Sequence, residues 1–186
     1  MRAVTLQTVC QMAQQAKNAL WRAARENGRD ICIYLHWSEG HYGQFSDSYH
    51  FMVDQDGKIY TETDNLAKPK NHTWHRNSGA LDLCVLGAYR ATVKNLGPEA
   101  PTKVQYEALA RTAAVLARVL DVKMEGIITH AEAALLDGYG PGSGDPETRW
   151  DLWFLKNGDA PGTGGKILRE MISGCAGGGE LDWVFN

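Results

Sequence analysis

The chain has 186 residues, 44% hydrophobic and 22% charged, with a formal net charge of −3. That length suits one compact domain able to bury a core without disulfide or metal staples. The mild acidity supplies no global basic field for nucleic acid or an anionic membrane, and no stretch approaches the length of a membrane-spanning helix.

Residues 8–27 place Val9, Met12, Ala13, Ala16, Leu20 and Ala23 at helical spacing, with Gly28 as the stop. No basic segment followed by an apolar one precedes them, and Gln7, Gln11, Gln14 and Gln15 break any apolar run, so Met1–Leu20 does not read as a secretory signal. The expectation is synthesis in the cytoplasm, with release to any outside substrate by another agent. Ile31 to Leu35 reads as a buried central strand ending at His36 and Trp37. Tyr49–Val53 and Lys58–Thr61, separated by Asp54-Gln55-Asp56-Gly57, read as a hairpin. Tyr49, Phe51 and Val53 would share one face, the groove side, and His50 and Met52 the other, with His50 a structural residue behind the sheet. Leu81 to Leu86 is another apolar strand, in which Asp82 has no sequence-level account.

Pro101-Thr102 opens the clearest helix, with Thr102 and Gln105 in capping-box spacing and Leu109, Ala113, Leu116 and Leu120 as its buried stripe. Gly126 to Thr129 is a short strand leading to His130, 131–144 a glycine-rich loop, 146–155 a helix opened by Pro146, and 165–173 a last helix. The tail from 174 onward is glycine-rich. The mixture predicts a single α/β domain over 1–186, with a mixed central sheet flanked by helices. The four cysteines, Cys10, Cys32, Cys84 and Cys175, show no zinc-finger spacing; reduced thiols are expected, with a Cys32–Cys84 bridge the alternative.

Three candidate metal ligands stand at element ends: His36, His130 and Asp145. Two imidazoles and a carboxylate leave a catalytic zinc one open position for water and enough positive charge to acidify it. By spacing alone the metal signal is weak, and strand-end histidines with a helix cap before Pro146 are the preferred reading.

Five pieces in order add to this: Ile33-Tyr34-Leu35-His36-Trp37; Tyr49-His50-Phe51-Met52-Val53 with Asp56-Gly57-Lys58-Ile59; His72-Thr73-Trp74-His75-Arg76-Asn77-Ser78-Gly79-Ala80; Thr129-His130-Ala131-Glu132; and Gly142-Ser143-Gly144-Asp145-Pro146-Glu147. Over roughly residues 30–155 this series resembles the type 2 N-acetylmuramoyl-L-alanine amidases, which include T7-type phage lysozymes and peptidoglycan recognition proteins. The resemblance implies a zinc at the floor of a surface groove, one ion per chain, held by His36, His130 and Asp145. It implies metal-assisted hydrolysis of the amide between N-acetylmuramic acid and L-alanine, with Tyr49 as a donor to the attacking water or oxyanion. His72, Arg76 and Asn77 would hold the muramyl group and stem peptide, Arg76 pairing with a carboxylate. Trp37 and Trp74 are candidates to stack on sugar.

The sequence also departs from the family pattern. Ser143 stands where T7-type enzymes carry a lysine, two residues before the third ligand, and Cys84 where recycling amidases carry a strand glutamate. The general base therefore stays open among Tyr49, the zinc-activated water, Glu132 and Glu147, with Ser143 as a hydrogen-bond donor. The implied biology is a phage or prophage endolysin that acts on peptidoglycan as a monomer, with no nucleic-acid or stable membrane partner. A non-cutting recognition module and an interbacterial effector are the alternatives.

Overall fold

The computed structural model describes residues 1–144 and 150–177. Arg2–Val4 (β1) leads into α1, Leu6–Glu26, whose Thr5 side chain caps the first turn by accepting from Thr8 N. Then come β2, Cys32–Trp37; β3, Phe51–Val53; β4, Ile59–Thr61; and β5, Ala80–Val85. Helix α2, Lys103–Leu120, precedes β6, Ile127–Thr129, and α3, His130–Leu136, follows β6 directly; α4 is Gly164–Gly177. The Thr102–Gln105 capping box is formed at α2, satisfying two otherwise orphaned N–H groups.

The strands form a six-stranded mixed sheet in the order β1-β4-β3-β5-β2-β6. The inner pairs β3–β5, β5–β2 and β2–β6 are parallel, and the hairpin β3–β4 and edge strand β1 are antiparallel. Gly57 sits at φ +79° in the hairpin turn, a conformation that suits glycine.

Side-chain alternation sorts the sheet into two faces of different chemistry. Ile33, Leu35, Phe51, Val53, Leu81, Leu83 and Val85 pack into one core with the apolar stripes of α1, α2 and α4. Tyr34, Met52 and Cys84 point to the opposite face, where Ala133 of α3 and the rings of Phe45 and Tyr49 cover part of the sheet. His36, His50 and Asp82 fall on this second face, which is therefore the one that carries polar chemistry.

Three local expectations are revised, and the expected reduced thiols are found. Residues 130–136 form a helix, not a loop, because Thr129 and Glu132 make a reciprocal capping box. Described residues 150–155 are turns rather than the end of a helix, and Leu152 at φ +60° is incompatible with helical continuation. His50 and Met52, not Phe51 and Val53, face the site, because β3 begins only at Phe51 and Tyr49 bends in ahead of the strand. The four cysteines are free, and Cys32 pairs in register with Ala80 while Cys84 lies opposite His36, so no Cys32–Cys84 bridge forms.

Candidate metal centre

Parallel strands deliver their C-terminal ends to one edge of a sheet, where ligand sites of α/β folds gather. His36 is the fifth residue of β2 and is 1% exposed, and His130 opens α3 immediately after β6. Because β2 and β6 are hydrogen-bonded neighbours, the two rings come to a centroid separation of 4.8 Å. Asp151, in the turn that follows, closes the group: its Oδ2 lies 3.0 Å from His36 Nδ1 and its Oδ1 3.2 Å from His130 Nδ1. These three ligand atoms lie within 4.8 Å of one another, and all three residues are buried. Two imidazole nitrogens and one carboxylate oxygen form the donor set that suits a catalytic zinc with one open position.

Asp145, the expected third ligand, lies outside the described residues, as does Glu147. Asp151 was missed. Its sequence signal is faint, since it sits between Trp150 and Leu152 in what reads as a helix.

A second buried carboxylate lies beneath His36. Asp82, fully buried in β5, places Oδ2 2.9 Å from His50 Nδ1 and Oδ1 3.8 Å from His36 Nε2. His72 Nε2 also lies against Asp82 Oδ2, but not in hydrogen-bond alignment, and His36 Nε2, His72 Nε2 and Asp82 Oδ1 have no hydrogen-bond partner among the described residues. His36, His72 and Asp82 thus form a second group with metal-ligand geometry, sharing His36 with the first.

Charges follow from this packing. Burial acts to lower the His36 imidazole, but Asp151 and Asp82 on either side outweigh it and raise its pKa to about 9. Burial takes His72 down to about 4, leaving it neutral at pH 7. Both carboxylates are held well below the usual range: burial pushes them up, but the neighbouring imidazoles win. Two ionised carboxylates among buried imidazoles create a demand for positive charge at the site.

Tyr49 stands with its ring centroid 5.2 Å from His36 and 6.1 Å from His72. Burial first, then the neighbouring Cys84, raise its phenol well above the ordinary value, so it is an O–H donor at neutral pH rather than a base. Burial likewise raises the Cys84 thiol. Glu132 receives both Arg169 nitrogens at 2.8 Å and accepts from Thr129 N at 2.9 Å, so it braces the start of α3 instead of facing the site.

The expected substrate-binding residues fall into different settings. Trp37 is 4% exposed and packs edge-on against Trp150, with centroids 5.0 Å apart, so it offers no face to a sugar. Arg76 already forks onto Asp137, with Nε donating to Oδ2 at 2.7 Å. Asn77 Oδ1 accepts from Thr73 N at 3.0 Å and shapes the loop. His72 Nδ1 pairs with Thr73 Oγ1 at 2.9 Å, so both of its ring nitrogens point into the protein. Trp74 is 65% exposed, with its ring edge-on to His75. Ser143 lies in an exposed turn, its N–H donating to the Gly140 carbonyl at 3.0 Å.

No curated protein matches the chain. Among solved structures, the Ph2119 endolysin from Thermus scotoductus MAT2119 bacteriophage Ph2119 is 20% identical, with 56% of this chain and 73% of that chain covered at a TM-score of 0.44. The endolysin amidase LysCS from Clostridium intestinale URNW is 17% identical, covering 56% and 70% at 0.43. Drosophila peptidoglycan recognition protein SA is 14% identical, covering 55% and 67% at 0.40. A family model described as N-acetylmuramoyl-L-alanine amidase matches residues 2–147. With most of its length matched, the chain belongs to the N-acetylmuramoyl-L-alanine amidase family.

Proposed function

We propose that the protein is a zinc-dependent amidase that cleaves the bond between N-acetylmuramic acid and L-alanine in peptidoglycan, with His36, His130 and Asp151 as the ligands of one zinc. The observation that carries this is the convergence of two imidazole Nδ1 atoms and one carboxylate in a buried pocket at the strand ends. A bound zinc supplies a Lewis acid and lowers the pKa of water toward neutrality. Tyr49, protonated and beside His36, donates to the oxygen on which charge develops. Exposed Trp74 forms a stacking surface at the rim for a sugar ring. In biological terms this is a wall-degrading lysin, released to peptidoglycan from the cell that makes it.

Zinc content of the purified protein, measured with stem-peptide release from peptidoglycan, tests the reading. One zinc per chain and chelator-sensitive release are expected, both lost in His36→Ala, His130→Ala and Asp151→Asn. Asp145→Asn is the comparison: if it abolishes zinc binding while Asp151→Asn keeps it, the third ligand is Asp145. Binding of peptidoglycan fragments without zinc or release would make the protein a recognition module.

A further inference from the structure

The zinc reading leaves unexplained why a fully buried aspartate lies under the site, in a strand that is otherwise apolar. Asp82 occupies the middle of β5, where Ala80, Leu81, Leu83, Cys84 and Val85 are all buried around it. An isolated carboxylate there costs several kcal/mol unless partners compensate it. Its partners are all imidazoles: His50, His72 and His36. They come from three separate segments, the approach to β3, the loop before β5 and the end of β2.

The rings themselves are fixed on their far sides. His50 Nε2 donates to the Lys68 carbonyl at 3.1 Å, which anchors the ring to the loop, and its Nδ1 accepts from the Asp82 N–H at 3.2 Å. His72 Nδ1 meets the Thr73 hydroxyl. His36 Nδ1 faces Asp151 and the His130 side of the pocket, while its Nε2 faces Asp82 Oδ1 at 3.8 Å. Both of those latter atoms are buried and, among the described residues, lack a hydrogen-bond partner.

Resting on the zinc reading above, we infer that Asp82 is a positioning residue: an outer carboxylate that holds the proton on His36 Nε2 and so keeps the Nδ1 lone pair aimed at the metal. A ligand histidine needs a hydrogen-bond acceptor on its other nitrogen to fix ring and tautomer. Among the described residues, Asp82 is the carboxylate that faces that nitrogen. Through its N–H and its carboxylate, Asp82 holds His50, and with it the segment before β3, at the floor of the site. Tyr49 is the residue next to His50, so this anchorage also sets where Tyr49 enters.

The alternative for Asp82 is a second ion, since His36, His72 and Asp82 also have ligand geometry. Two points favour the positioning role. Asp82 Oδ2 already faces two imidazoles. An ion on each nitrogen of His36 would also require that ring to lose both protons, whereas one ion at Nδ1 leaves the Nε2 proton that Asp82 needs.

The test compares wild type, Asp82→Asn and Asp82→Leu with His36→Ala, reading zinc affinity by chelator competition, zinc stoichiometry and imidazole N–H signals by NMR. In zinc-loaded wild type a slowly exchanging proton on His36 Nε2 is expected, shifted in Asp82→Asn and absent in Asp82→Leu. Zinc affinity falls by about 10–100-fold in the Asp82 variants, as for other outer-shell partners. Loss of zinc in His36→Ala with wild-type affinity in Asp82→Asn overturns the inference alone. Wild-type zinc in His36→Ala overturns the metal reading and this inference with it. Two zinc ions per chain, one lost in Asp82→Asn, would make Asp82 a ligand and overturn the positioning role. If the Asp82 variants do not fold, the wild-type spectrum decides: zinc-loaded His36 protonated at Nδ1 refutes the proposal.

Discussion

On the zinc reading proposed above, the state of His36 should make metal uptake depend on pH in a way an ordinary histidine would not. Metal-free, the ring lies between Asp151 at 3.0 Å and Asp82 at 3.8 Å and stays protonated up to about pH 9. Zinc at Nδ1 must displace that proton, so affinity rises with pH until His36 is already neutral. For a pKa of about 9, the fraction of neutral ring rises about ninefold between pH 7 and pH 8, whereas a reference pKa of about 6.5 gives about 1.3-fold. The ninefold gain corresponds to about 1.3 kcal/mol of binding free energy. Chelator competition at the two pH values measures the ratio, and calorimetry in buffers of different ionisation enthalpy counts the released proton. An affinity that is flat from pH 7 to pH 8, with no proton released, would show that His36 is not held protonated between the two carboxylates.

Other measurements follow from the same geometry. Metal-free protein should lose stability as pH rises. The folded pKa of His36 lies above its unfolded value, so its contribution is full below about pH 6.5 and disappears through about pH 9; the shift is worth about 3 kcal/mol, and zinc should flatten the pH profile of Tm. Tyr49→Phe should slow stem-peptide release by about 100-fold with zinc still bound, as for loss of one oxyanion donor; an unchanged rate removes Tyr49 from the reaction. Arg169→Met leaves the half-buried Glu132 with only its Thr129 contacts and should cost about 2 kcal/mol, read as a fall of about 4–8 °C in Tm. Gly165→Ala should strike the same brace, because its Cβ would meet both Glu132 carboxylate oxygens at 2.3 Å; a Tm within a degree of wild type would show that the brace moves freely.

The fold was legible where one local rule was strong and nothing tertiary opposed it. The α2 stripe and capping box, the Asp56-Gly57 turn and the apolar runs of β2 and β5 each have a short-range cause, and each element formed. The misses have physical reasons as well. Arg2–Val4 is three residues long and is a strand only because β4 offers it an edge. The start of α3 was announced by Thr129 and Glu132 in capping-box spacing, a signal masked by the glycines that follow. Residues 150–155 have helical composition, but Leu152 in the left-handed region turns the chain, and the Trp153 carbonyl accepts instead from Gly162 and Gly164.

The site divides along the same line. His36 and His130 sit at strand ends, and a strand end followed by a histidine is readable without knowing the fold. Asp151 and Asp82 are not readable in that way, because each carboxylate acquires its meaning from residues far away in the chain: Asp151 from His36, 115 positions earlier, and Asp82 from His50, 32 positions earlier. Alternation within β5 does place Asp82 and Cys84 on one face. It cannot say that β2 lies beside them in parallel, with Tyr34 opposite Asp82 and His36 opposite Cys84. That register puts the ring of His36 two residues beyond Asp82 along the sheet, on the same face and near enough for Nε2 to face the carboxylate while Nδ1 faces Asp151. A slip of one residue between β2 and β5 would turn His36 onto the helix-covered face and leave Asp82 buried without it. The two charges therefore work in opposite directions on the fold: each is costly alone, and together they penalise every register but the one that builds the site.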